Sequence, residues 1–143
     1  MIIPDTVAEA VATLLNTNKL ELGIESAGEI GEEVPSTFEP PYIGLYIDTV
    51  EESQGNLHTK SIAVPFELVM LIVSAQGQTV QESSSAAWTI AFKTFKLVTE
   101  TAFTIDGSKF VLQPRSQPFQ ILKKTAAESV VTIRCRFHLN KWE

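Results

Sequence analysis

The side chains able to do chemistry are few and scattered. The chain holds one cysteine, Cys135, and two histidines, His58 and His138. A structural zinc site draws on four closely spaced Cys and His ligands, so these three residues make no standard set. Cys135 alternates with Val131, Ile133, Phe137 and Leu139. That places its thiol on an apolar strand face, where a buried cysteine is inert. His138 falls on the opposite face with Thr132, Arg134 and Arg136 and reads as a solvated or paired imidazole. Asp48, Glu51 and Glu52 offer oxygen ligands for a hard cation. Glu51 and Glu52 are adjacent at a strand end and point apart, however, so a charged hairpin base is the simpler reading. Ser83-Ser84-Ser85 has no histidine near it in sequence, and no Gly-x-Ser-x-Gly element is present. Gly77 stands alone, and Gly28 and Gly31 do not form a phosphate-binding loop after a strand. No catalytic residue, no cofactor-binding residue and no metal ligand is therefore assigned, and no cofactor is expected.

Charge narrows the partners. Seventeen acidic side chains oppose eleven basic ones, for a net charge of −6. That sign repels a polyanion, so no sequence-specific nucleic-acid binding is expected. The one basic concentration is Arg115, Lys123, Lys124, Arg134 and Arg136. Two readings stand: a patch that meets the acidic 25–39 segment of a neighbouring copy, or a solvated outer face. A role with DNA ranks behind both.

At 143 residues the chain fits one domain, 1–143, able to bury roughly two-thirds of its unfolded surface. Its 44% apolar and 20% charged residues are those of a folded protein. Met1-Ile2-Ile3-Pro4-Asp5 lacks the basic and apolar regions of a secretory signal. The longest apolar run, Leu68 to Val73, is strand-sized and far below the roughly 20 residues that span a bilayer. No membrane is expected as a partner. With one cysteine no intrachain disulfide can form, and folding in a cytoplasm is expected.

The elements follow from periodicity. Thr6 to Glu9 reads as a capping box, and Val7, Val11, Leu14 and Leu15 fall on one face of a short helix over 6–16. Residues 25–41 carry Gly28, Gly31, Pro35, Pro40, Pro41 and the glutamates 25, 29, 32, 33 and 39. Such a connection reads as a mobile arm or functional loop, or else as a solvated linker. Ile43, Leu45 and Ile47 alternate with Tyr42, Tyr46 and Asp48 in a half-buried strand. Residues 51–60 read as a polar hairpin loop. The strand 61–74 places Ile62, Val64, Phe66, Leu68, Met70 and Ile72 on one face. Val69, Leu71 and Val73 lie on the other, so its second half is covered on both sides, with a neighbouring subunit expected over one. Pro65 suits an edge or a bulge. Thr79 to Glu82 is a second capping box, opening a helix over roughly 80–98, about 28 Å long. Ala87, Ile90, Ala91, Phe95 and Val98 face a sheet, with Trp88 and Phe92 widening the stripe. Asp106-Gly107 marks a hairpin turn. Residues 114–118 read as a turn or linker, 119–122 as a short strand, and Val131 to Leu139 as the last strand. The sum is an α+β domain: a mixed, largely antiparallel sheet with one long and one short helix packed on one face.

This order, with Pro41-Tyr42-Ile43-Gly44-Leu45 after a loop, Val64-Pro65-Phe66-Glu67-Leu68-Val69-Met70, the helix Ala86-Ala87-Trp88-Thr89-Ile90-Ala91-Phe92 and the closing Val130-Val131-Thr132-Ile133-Arg134-Cys135-Arg136-Phe137, resembles the tail terminator or tail completion proteins of long-tailed bacteriophages and prophages. The resemblance implies a structural, non-enzymatic virion tail protein assembled in the bacterial host cytoplasm. It would be a homo-oligomer, a hexameric ring, that caps the tail tube and joins it to the head connector. The family has no catalytic residues to carry over. A rival reading from the residues is a small-molecule-binding or hydrolytic α+β domain, with Phe66, Trp88, Phe92 and Phe95 lining a pocket between the long helix and the sheet.

Overall fold

A computed structural model describes residues 4–30, 39–49, 63–105 and 107–140. Helix α1 (Pro4–Thr17) opens on the proline, whose fixed φ and missing N–H suit the first helical turn. Thr6 therefore lies inside the helix and does not cap it. Val7, Ala8, Val11 and Leu15 form its buried stripe. A second, unexpected turn of helix, α2 (Lys19–Leu22), follows at once. It ends at Gly23, in the left-handed region at φ 78°, with the Gly23 N–H donating to Lys19 O, the cap that glycine permits.

Part of the segment read as a mobile arm or linker is ordered. Ser26–Glu29 forms strand β1, parallel to β2 (Tyr42–Thr49) in the register Ser26–Tyr42 to Glu29–Leu45. The alternating sequence of β2 is as expected. Strand β3 (Ala63–Val73) pairs antiparallel with β2. The polar hairpin loop expected over 51–60 lies outside the described residues. Pro65 sits past the last β2–β3 pair among the described residues, Thr49–Phe66, a position that suits a residue with no N–H to donate.

Helix α3 (Val80–Glu100) is the long packing helix, capped by Thr79, whose hydroxyl accepts from Glu82 N at 3.1 Å. The Glu82 carboxylate reaches back one residue further than expected, to Gln78 N at 2.7 Å. Strands β4 (Ala102–Ile105) and β5 (Ser108–Val111) make a separate hairpin, turned at Gly107, φ 81°. The stretch read as a turn and a short strand is one twelve-residue strand, β6 (Gln113–Lys124), interrupted over Arg115–Pro118. Strand β7 (Ser129–Asn140) closes the sheet between β3 and β6.

The five strands run β1-β2-β3-β7-β6, antiparallel except at β1. One face carries Ile43, Leu45, Leu68, Met70, Ile72, Val131, Ile133, Cys135 and Phe137 and shares a single core with α1 and α3. Phe103, Ile105 and Leu112 complete that core at the β4–β5 end. The fold is α+β with both helices on one face.

The other face corrects an expectation. Val69, Leu71 and Val73 are 0%, 4% and 1% exposed, so this chain closes over them without a neighbour. Leu71 and Val73 pack with Tyr42 and Val130, and with Ile30 and Tyr46. Tyr46 and Arg134 stand opposite Val69 on the flanking strands, and these long side chains shield it. Ile30 reaches this cluster because Gly44 lies beneath it: a Cβ at Gly44 would stand 2.5 Å from Ile30 Cδ1.

Candidate functional site

Charge is concentrated at the Asp48–Glu67–Arg136 end of this outer face, away from the Tyr42–Val73–Val130 end. Glu67 interrupts the apolar run of β3 and is 5% exposed. Strand register sets it between Asp48 of β2 and Arg136 of β7. Arg134 Nη1 donates to Glu67 Oε1 at 2.9 Å, and Arg115 Nη1 reaches the same oxygen at 3.3 Å. Arg134 also lies 3.8 Å from Asp48 Oδ2. The hydrogen bond to Glu67 raises the Arg134 pKa above its usual value, outweighing the opposing effect of burial. A buried carboxylate is expensive unless paired, and two guanidiniums supply the pairing.

Arg115 gets there because β6 leaves the ladder. The strand runs from Pro114 to Phe119 while β7 passes only from Cys135 to Ile133. The extra residues bow outward, as in an enlarged β-bulge, and re-aim their side chains. The bow leaves a cleft of about 430 Å³ lined by Arg115, Ser116, Gln117, Pro118, Phe119, Gln120 and Arg134. Beside it on β7, Arg136 keeps a buried Nε that finds no acceptor among the described residues. The arrangement is cationic and can hold a carboxylate or another anion.

A second polar group is sealed in the core. Ser83 of α3 donates to Ser129 Oγ at 2.9 Å and shares a hydrogen with Ser74 Oγ at 3.0 Å. Ser129 N donates to Ser74 Oγ at 2.8 Å. The three are at most 1% exposed and tie the start of α3 to the ends of β3 and β7. Their hydroxyls satisfy one another, and the role is structural.

The fold matches a chain of a virion. That chain belongs to the "Virion of native gene transfer agent (GTA) particle", with a TM-score of 0.55, 12% identity and 94% of each chain covered. At this identity the likeness is one of fold. No protein-family model and no curated protein matches the sequence.

The residues weighed from sequence fall as follows. Cys135 is fully buried, and burial, followed by the charge of Glu67, pushes its thiol up to about 12. His138 is exposed on β7. Asp48 faces Arg134; Glu51, Glu52 and His58 lie outside the described residues. Among the described residues no cluster of His, Cys, Asp and Glu could hold a metal. No described helix is long and apolar enough to cross a membrane. Of the basic strip, Arg115 and Arg134 pair within the chain, and Lys123 bonds Glu128 at 2.7 Å.

The aromatic residues of the rival reading pack on other rings. Phe66 stacks on Phe137 with ring centroids 5.6 Å apart. Trp88, Phe92 and Phe95 gather on Phe119 at 5.9, 5.3 and 4.9 Å. Phe92 is 55% exposed at the rim of this aromatic cluster. Sequence reasoning missed Glu67. Its signal was a lone carboxylate at the phase of β3 that antiparallel pairing sets beside Arg134 and Arg136.

Proposed function

We propose that the protein is a structural subunit of a phage-like virion, of the tail-terminator kind. Copies of it assemble into a ring that caps the tail tube and offers the surface for the head connector. The observation that carries this reading is the fold shared with a virion chain over 94% of both lengths. The ionisable side chains that the fold gathers, Glu67 with Arg115 and Arg134, are tied up in ion pairs with one another. That suits holding a shape better than turning over a substrate.

Its place is the virion tail, assembled in the host cytoplasm, and its partners are its own copies, the tube and the connector. Light scattering and negative-stain microscopy of the purified protein test the reading. Rings of uniform mass, a fixed multiple of 15.7 kDa, are expected. A species of single-chain mass at micromolar concentration would overturn it.

A further inference from the structure

We infer that copies mate head to tail through opposite ends of the sheet, an acidic corner on one copy seating against the cationic cleft of the next. The inference rests on the self-assembly reading and adds the surfaces that carry it.

The strand order puts β1 at one edge and β6 at the other. At the β1 edge, Asp5 and Glu9 stand one helical turn apart on α1, and Glu29 ends β1. All three are exposed, and no ion pair joins them to a cation among the described residues. They lie close enough to act on each other: burial first, then the charges of Asp5 and Glu9, hold the Glu29 carboxyl above its usual pKa. A cation brought to this corner relieves that repulsion.

At the β6 edge the signs reverse. Arg115 and Arg134 pair with Glu67 and Asp48, and Arg136 stands opposite Glu67 on β7, so three guanidiniums meet two carboxylates and positive charge is in excess. The cleft beside them is open and polar. One molecule thus carries two unlike, complementary surfaces on opposite sides. Joined in one direction, such surfaces form a heterologous contact that repeats until a ring closes.

The contact is made by side chains and adds no strand. The Asn16 side chain already fills the outer edge of β1, donating to Ala27 O at 2.8 Å and accepting from Ala27 N at 2.9 Å. On β6, Pro114 and Pro118 remove donors from the open edge, and the bow breaks it further.

Charge reversal tests the pairing, with molar mass read by light scattering and folding checked by circular dichroism. Glu29→Lys and Arg115→Glu should each reduce the wild-type assembly to single subunits. Mixing the two single variants, or combining both changes in one chain, should restore it, because each contact again joins opposite charges. Arg115 touches Glu67, so if Arg115→Glu fails to fold, Glu29→Lys and salt decide. Raising ionic strength to about 0.5 M, where screening acts within roughly 4 Å, should then shift the wild type toward smaller species. Variants that keep the full assembly mass, or a wild-type mass indifferent to salt, overturn this inference and leave the ring reading standing. A wild type that is a single subunit at micromolar concentration overturns both.

Discussion

Strand β3 serves two different faces, and the contrast between them explains much of the molecule. Leu68, Met70 and Ile72 enter an apolar core built by α1, α3 and the β4–β5 hairpin, elements far apart in sequence. On the other side, Val69, Leu71 and Val73 are as deeply buried, yet no described helix packs with them. Tyr42, Tyr46 and Ile30 close this side at the Val73 end of the strand, while an Arg–Glu–Arg set closes it at the Glu67 end. A strand apolar in both phases reports that both faces are dry. It does not report who keeps them dry, which is why a neighbouring subunit was expected where the chain covers itself. In the proposed assembly, contacts between copies therefore fall at the edges of the sheet and not on its face.

The largest expected effect breaks this symmetry directly. Leu71→Glu buries an unpaired charge, an error on the order of 3–5 kcal/mol, and should unfold the chain. Denaturant titration checks it; a folded, merely dissociated subunit would show that the outer face is open. Glu67→Gln comes next. It removes the anion from beneath Arg134 and Arg115 and should cost about 2–3 kcal/mol, with folding otherwise two-state. A midpoint unchanged in urea would show that the two arginines are held by something else. On the helix face, Cys135→Ser sets a hydroxyl without a partner among Val131, Ile133 and Phe137, at about 1–3 kcal/mol. The native thiol should resist a labelling reagent.

The same residue gives a pH test. The Cys135 thiol is raised from 9.0 to about 12 in the fold, so the folded state holds its proton where the unfolded chain has released it. Stability from this group is intact below about pH 9 and declines from there through about pH 12. Cys135→Ala should flatten that decline in a urea series at increasing pH. The smallest effect belongs to the β1 edge. Asn16→Ala leaves Ala27 to water and should cost about 1 kcal/mol, read as faster amide exchange at Ala27 with the rest of the sheet unchanged.

What could be read from sequence was what is local. The Thr79–Glu82 box, the turn glycine Gly107 and the alternation of β2 and β7 each specify their element within a few residues. Strand β1 could not be read: Ser-Ala-Gly-Glu has no apolar period, and its extension is imposed by β2 on one side and Asn16 on the other. The bow at Arg115–Pro118 resembles a linker because its prolines and polar residues are those of one; only the flanking pairs with β7 make it part of a strand. The site was half legible. Arg134 and Arg136 stood out on the polar phase of β7, but the pairing of Arg134 with Glu67, more than sixty residues away, is a product of strand order alone.

The claim that assembly runs through opposite edges of the sheet has one direct test. A Glu29→Cys/Ser116→Cys variant places one thiol at the acidic corner and one in the cleft, while the native Cys135 stays buried. Treated with a short bismaleimide at micromolar concentration, it should give a ladder of covalent multiples of 15.7 kDa on a denaturing gel. A single band of monomer mass, with both new thiols shown to be accessible, would contradict the account.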